Sequence, residues 1–361
     1  MTNLTTGANS TTIGIDLGDR FSDIAAIDSS GELFETGRVR TTPDAFHKRF
    51  GNMPSTRIAI EVGTHSPWIS ELLTAAGHDV IVANPRKLRL IYANNNKNDK
   101  VDAENLARVA RLDPKLLCPI SHRHMDTRSD LALLRARDSL VTNRTQLVNQ
   151  ARGLVKPFGK RLPGCSTAAF WKRAAWAIPK ELRPAVVPLL RLIKTLTIEI
   201  KALEKKIREL ADNRYPETRR LREVNGVGLI TSLAFVLTIE DPLKMASSRS
   251  CGAYLGLVPR RKQSGKADPE LRITKAGDMH LRRLLVQCAQ YILGPFGKDS
   301  NLRRFGLSLA ERGKKNAKRR AIVAVARKLA VLLHRLWITD QPYEALRKQG
   351  AKQTLECART A

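Results

Sequence analysis

Four carboxylates stand in positions that patterning alone does not explain. Asp16 interrupts the apolar run at 12–18, and Glu61 does the same in RIAIEVG at 57–63; both runs read as buried strands. An ionised acid inside a strand is costly unless a cation offsets it. Asp99 and Asp102 lie three apart near the start of a stretch at 97–112, in which Leu106, Val109 and Ala110 recur at helical spacing. If the helix includes both, they share one face and repel each other unless a cation lies between them. The plainer alternative makes Asp99 an N-cap and Asp102 a solvated first-turn acid, while Glu104 points elsewhere. Together the four form a set of hard oxygen donors suited to Mg²⁺ or Mn²⁺. Two such ions about 4 Å apart activate a water or hydroxyl and stabilise the leaving oxygen of a phosphodiester.

A second chemistry is written near residue 264. Arg260, Arg261, Lys262, Lys266, Arg272 and Lys275 surround Ser264-Gly265 in a loop, before a helix that opens near Asp278. A serine exposed among phosphate-binding cations can attack phosphorus while the cations stabilise the developing charge. Most Ser-Gly pairs are only turns.

The elements that must position these groups follow from the chain order. Residues 12–18 and 22–28 are two strands joined by a short polar link, a hairpin. A third strand follows at 32–39, then a polar helix at 43–51, a strand at 57–63, a helix at 66–77 and a strand at 78–84 stopped by Pro85. Three strands, a helix, a strand, a helix and a strand match a ribonuclease-H-like α/β layout. The string IGIDLG also opens sugar-kinase and actin-like ATPases. Those need a second glycine-rich phosphate loop and an adenosine loop, and neither is found.

The rest reads as helix. Residues 126–156 form a basic helix with Leu131, Leu134 and Val141 inward. A loop at 157–184 follows, in which Phe158, Phe170, Trp171 and Trp176 interleave with lysines and arginines, either as a base-stacking surface or as a satellite core, with the core favoured. From Leu189 to Leu210, Ile193, Leu196, Ile200, Leu203 and Ile207 continue a heptad seam with Ile at a and Leu at d. This choice favours a parallel two-stranded coiled coil, with an intramolecular hairpin as the alternative. Gly226 and Gly228 then sit between apolar helical segments at 221–237, in the form of a helix-hairpin-helix element that aims backbone N–H groups at a DNA phosphate; a plain turn between core helices competes. A basic amphipathic helix at 311–337 closes the chain's last domain. Three segments result: 1–125 for the α/β domain, 126–215 for the basic helix and coiled coil, and 216–361 for a mainly α domain.

Charge divides along the same line. The chain of 361 residues carries 63 Lys and Arg against 34 Asp and Glu, for a net +29. Residues 1–120 are balanced, 14 against 14, so the excess lies entirely in 121–361, 49 against 20. A neutral carboxylate-bearing domain joined to a strongly basic one suits an enzyme that grips a polyanion with one part and cuts it with the other. Five cysteines without CxxC pairing point to reduced thiols and away from zinc. With no signal sequence and no long apolar run, a cytoplasmic, nucleoid-associated protein without a membrane partner is expected.

The full set resembles the insertion-sequence 110 group of transposases, along nearly the whole chain. IGIDLG with Asp16, AIEVG with Glu61 and KNDKVDAENLA with Asp99 and Asp102 are similar to that family's four acids. GVGLITSLA, YLGLVPRRKQSGK and RITKAGDMHLRRLLVQCA are similar to its C-terminal blocks, with Ser264 at the nucleophile position. The resemblance implies a RuvC-like DEDD domain, a serine-bearing transposase domain and a DNA–serine intermediate whose assembly needs both. It also implies a structured non-coding guide RNA that pairs with donor and target DNA, and a metal site contributed by a partner subunit. A homodimer through the coiled coil and a tetramer at synapsis are expected. The rival readings are a RuvC-type Holliday-junction nuclease, in which Ser264 is incidental, and a non-catalytic basic nucleic-acid-binding protein.

Overall fold

The structure, a computed structural model, describes residues 11–84, 99–261, 263, 271–313 and 316–346, with only the backbone of Asp99. The chain divides into two compact units, Met1–Arg123 and His124–Ala361.

The first unit is built on five strands: β1 (Thr12–Asp16), β2 (Phe21–Ile27), β3 (Leu33–Arg40), β4 (Arg57–Glu61) and β5 (Asp79–Ala83), with α1 (Pro43–Phe50) after β3 and α2 (Ser66–Ala75) after β4. They form one sheet in the order β3-β2-β1-β4-β5. The β1–β2 and β2–β3 pairs are antiparallel, and β1–β4 and β4–β5 are parallel. This is the mixed sheet of a ribonuclease-H-like unit, as the order of elements predicts.

Period-two alternation separates the two faces of the sheet. Ile13, Ile15, Ile24, Ile58 and Ile60 are buried with Phe46, Phe50, Ile69 and Leu73 of α1 and α2. The opposite face is built from small residues. There Ala59 and Ala83 are buried with Leu106 and Ala110 of α3 (Asp99–Leu112). Gly14 explains how closely α3 approaches: a Cβ there would lie 2.0 Å from the Ala103 carbonyl oxygen and 2.6 Å from the Ala107 nitrogen. The strands are shorter than the sequence suggests. Asp16 and Glu61 are the last residues of β1 and β4 and are half-buried, not mid-strand. At a strand end a carboxylate keeps some of its water, so it costs less there than it would in the interior.

The second unit is helical. It contains α4 (Met125–Val155), α5 (Phe170–Ala174), α6 (Arg183–Arg214), α7 (Glu217–Leu221), α8 (Leu229–Ile239), α9 (Ser250–Tyr254), α10 (Met279–Leu293), α11 (Asn301–Glu311) and α12 (Ala317–Thr339). Apolar α8, buried from Thr231 to Ile239, is surrounded by side chains of α4, α6, α10 and α12 in one large core. None of the described helices is long and apolar enough to cross a membrane.

The heptad seam of α6 has a partner within the chain. Ile193, Ile200 and Ile207 are buried, and α4 runs antiparallel to α6. Asp130 with Arg214, Arg137 with Glu204, and Arg144 with Thr197 mark the register from end to end. The intramolecular hairpin accounts for the seam isoleucines, so a pairing with a second copy is left the half-buried seam leucines and the exposed Leu192 and Ile198. The aromatic loop splits. Phe170 is buried in a satellite core with Val148, Val155, Val186 and Ile193, and Trp171 covers it, whereas Phe158 and Trp176 are exposed.

Candidate active site

The direction of α3 decides what meets what. Near its C-terminal end, Arg108 Nη1 donates to the Gly31 carbonyl at 2.9 Å, and the Arg111 guanidinium donates to the Ser29 carbonyl. Both acceptors lie in the β2–β3 turn, and Ile27, just before it, pairs with Thr12 at the beginning of β1. The helix therefore runs antiparallel to β1, and its N-terminal turn reaches the end of the sheet where β1 and β4 finish. That turn carries Asp102, half-buried, and the backbone of Asp99.

Asp16 and Glu61 come to the same place by register. Ile15 pairs with Ile60 on the parallel strands β1 and β4, so the next residues, Asp16 and Glu61, are neighbours. They lie on the face of Gly14 and Ala59, the face α3 covers. Ligands of open α/β sheets bind outside the carboxyl ends of the strands, where these acids stand. Glu104 is diverted into an i,i+4 ion pair with Arg108 at 2.7 Å.

Three neighbours carry no sequence signal of their own. Asp23 of β2 lies directly opposite Asp16 in the antiparallel register and is 6 % exposed. Its carboxylate is 3.5 Å from Arg38 Nε on β3. Only the hairpin register, counted from its turn, could have put it there. His65 and Asp19 sit on the loops that follow β4 and β1. Trp68 Nε1 donates to His65 Nδ1 at 3.2 Å, so in neutral His65 the proton is on Nε2, which is 3.4 Å from Asp19 Oδ1.

As a donor set, Asp16, Glu61, Asp99 and Asp102 offer only hard oxygens, the chemistry that Mg²⁺ and Mn²⁺ take. Glu61 and Asp102 engage no cation among the described residues. Half-buried carboxylates without counter-charge are a fit for a bound cation. No three His, Cys, Asp or Glu side chains stand at metal-holding distance among the described residues, which exclude the Asp99 carboxylate.

In the second unit the basic loop stands on a short antiparallel ladder. Pro259 bridges Ile273, Arg260 N donates to the Arg272 carbonyl at 2.9 Å, and Thr274 N to that of Val258 at 2.9 Å. Arg260, Arg261, Arg272 and Lys275 are exposed at its base. Lys262, Ser264 and Lys266 lie outside the described residues. Below the ladder the chain crosses itself so tightly that a Cβ on Gly256 would fall 2.2 Å from the Ala276 nitrogen, and Arg282 Nη1 ties the crossing by donating to the carbonyls of Leu255 and Ala276. Gly226 turns at φ +90° against Tyr291 and Ile292 of α10, and exposed Gly228 caps α8. The preceding α7 has only five residues.

A sheet of this order, with acids at the ends of its first and fourth strands, joined to a basic helical unit, defines an enzyme that processes nucleic acid. Comparison with known proteins gives the family. Residues 13–158 match the DEDD transposase model of the IS110 type, and residues 218–301 match the model described as transposase IS116/IS110/IS902 family. The chain is 32 % identical over 290 residues to the transposase for insertion sequence element IS1328 of Yersinia enterocolitica, covering 78 % of this chain and 84 % of that one. It is 25 % identical over 339 residues to the transposase for insertion sequence element IS1111A of Coxiella burnetii, covering 92 % and 90 %. The chain belongs to the IS110 family of transposases.

Proposed function

We propose that this transposase is an RNA-guided DNA recombinase that cuts and rejoins DNA through a covalent serine link. The observation that carries the metal half of this reading is the convergence of Asp16, Glu61 and the first turn of α3 on the carboxyl ends of β1 and β4. Asp16, Glu61, Asp99 and Asp102 would hold Mg²⁺ or Mn²⁺. When bound, such ions supply electrophilic stabilisation of charge on the phosphate oxygens. The Ser264 hydroxyl attacks the scissile phosphorus, forms a 5′-phosphoserine bond and releases a DNA 3′-hydroxyl. A 3′-hydroxyl of the exchanged strand later attacks that phosphorus, restores the phosphodiester and returns Ser264 as the free hydroxyl. Arg260, Arg261, Lys262, Lys266, Arg272 and Lys275 neutralise the phosphate around it, and the turn at Gly226 and Gly228 contacts the DNA backbone.

A structured RNA transcribed from the element selects donor and target DNA by base pairing, and the basic second unit holds it. Subunits pair through the exposed and half-buried remainder of α6 and assemble as a tetramer at synapsis, each acidic site acting with the serine of a partner.

The deciding experiment is a denaturing gel for a covalent protein–DNA adduct in cells carrying the element's own flanking DNA. Wild type is expected to give the adduct, and Ser264→Ala and Asp16→Ala none. Cleavage without adduct that survives Ser264→Ala and is lost in Asp16→Ala would make the protein a metal-dependent nuclease of RuvC type.

A further inference from the structure

A wide groove of the second unit lies between α11, α12 and the ladder at Pro259 and Ile273. Its volume is about 1370 Å³, above the roughly 300–1,000 Å³ of a small-molecule site. Its walls are cationic. Arg319, Arg327 and Arg335 line it along α12 and recur every eight residues, about 12 Å of helix. Arg249, Arg272 and Lys275 line the facing side, and all six are exposed. No Asp or Glu lines the groove among the described residues. Several acids of this unit are used elsewhere: Asp138 pairs with Arg283, Glu204 with Arg137, Glu240 with Lys244 and Asp299 with Arg304. Among the described residues no carboxylate stands between these cations, which repel one another, and such a field suits a polyanion.

The floor is of a different kind. It is apolar, formed by Ile273, Val323, Val331 and Leu332 with the half-buried ring of Phe305, whose centroid is 3.5 Å from Lys328 Nζ. A duplex turns its phosphates outward and stacks its bases inside, so it has nothing to lay on an apolar floor. An unpaired strand offers phosphates to the walls and base faces to the floor, the combination of cationic groove and aromatic platform that single strands select.

We infer that this groove is the seat of an unpaired DNA strand, held through its phosphates by the arginines of α12 and led toward the ladder of Arg260 and Arg272. DNA is assigned over RNA because the groove is lined by Pro259, Leu271 and Arg272, which flank in sequence the segment that bears Ser264. That choice rests on the serine chemistry proposed above.

The test uses the full-length protein in EDTA, so that it reads binding and not cleavage. A fluorescein-labelled single-stranded DNA of mixed sequence, the same sequence as RNA, and the matching DNA duplex are titrated by fluorescence anisotropy across a salt series. The triple substitution Arg319→Ala, Arg327→Ala and Arg335→Ala is expected to weaken single-stranded DNA binding roughly tenfold or more and to lower the salt slope by about 2. Duplex binding should change far less, and RNA binding should fall no more than that of single-stranded DNA. The triple Arg→Lys variant, which keeps the charge, should retain most of the affinity and separates loss of binding from loss of fold. The inference is overturned by an unchanged single-strand affinity, by an equal loss on duplex, or by a larger loss on RNA. It is overturned equally if polyglutamate displaces the strand as well as unlabelled single-stranded DNA does, because the groove would then be an acidic-peptide site. Selective binding together with a missing covalent adduct would leave the groove in place and remove the serine reading alone.

Discussion

Gly14 of β1 and Ala103 of α3 touch backbone to backbone: a methyl group on Gly14 would lie 2.0 Å from the Ala103 carbonyl oxygen. This contact sets the depth of α3 on the sheet, and with it the distance between Asp102 and the strand ends. Gly14→Ala should destabilise the first unit by about 1–3 kcal/mol or more, because a backbone atom cannot move aside as a side chain can. Denaturant unfolding of the purified protein measures it. Gly63→Ala is the control, since a Cβ there meets nothing within 4 Å.

The carboxylates should matter for chemistry and little for folding. Asp16→Asn, Glu61→Gln and Asp102→Asn are each expected to reduce recombination by roughly 1,000-fold or more, several kcal/mol of lost transition-state stabilisation. Their unfolding midpoints should stay near that of wild type. EDTA should abolish activity, and added Mg²⁺ or Mn²⁺ should restore it in wild type only. A plasmid excision assay run beside thermal melts separates the two effects, and retained activity in any one variant removes that residue from the site.

The hairpin of α4 and α6 makes a prediction about assembly. Ile193 and Ile200 are buried against the chain's own helix. Either one changed to Ala should therefore cost about 2–5 kcal/mol of stability through a core cavity, with the oligomeric state unchanged where the protein remains folded. Unfolding curves and light scattering at matched concentration test this. Dissociation without destabilisation would assign the isoleucines to a subunit interface instead.

His280 should make stability depend on pH. Its Nε2 is buried without a hydrogen-bond partner, 3.9 Å from Asp138 Oδ1. Burial pulls its pKa below the ordinary 6.5; the Asp138 carboxylate opposes this shift, and the Arg283 guanidinium reinforces it. Between the lowered folded value and 6.5 the unfolded chain binds the proton and the folded chain does not. Stability contributed by neutral His280 is therefore full above 6.5 and is lost as pH falls below it. In His280→Gln the slope of unfolding free energy between about pH 7 and pH 5 should flatten. An identical slope in wild type and variant would show that the imidazole does not titrate differently on folding.

Much of the first unit is legible in its residues. Alternation in TIGID, FSDIAAI and RIAIE gives strands and their two faces, and the order of elements gives the ribonuclease-H-like layout. The acids announce themselves as charges in apolar runs, although strand ends are not written in such runs, and Asp16 and Glu61 prove to be terminal. Asp23 was hidden because its burial depends on pairing with Arg38 across two strands. The second unit was less legible for the same reason. A heptad seam says that a helix needs a partner, and it fits a second copy as readily as the chain's own α4.

What is local or additive can be read along the chain: the periodicities, the glycines that permit close approach, the placement of all net positive charge after residue 120, and the family. Which residues meet depends on the folded arrangement. The direction of α3, the parallel register that sets Asp16 beside Glu61, the antiparallel register that sets Asp23 opposite Asp16, and the cationic groove beside α12 each join segments far apart in the chain. Such contacts depend on how whole elements bury their faces against one another, a sum over many side chains that no single motif encodes.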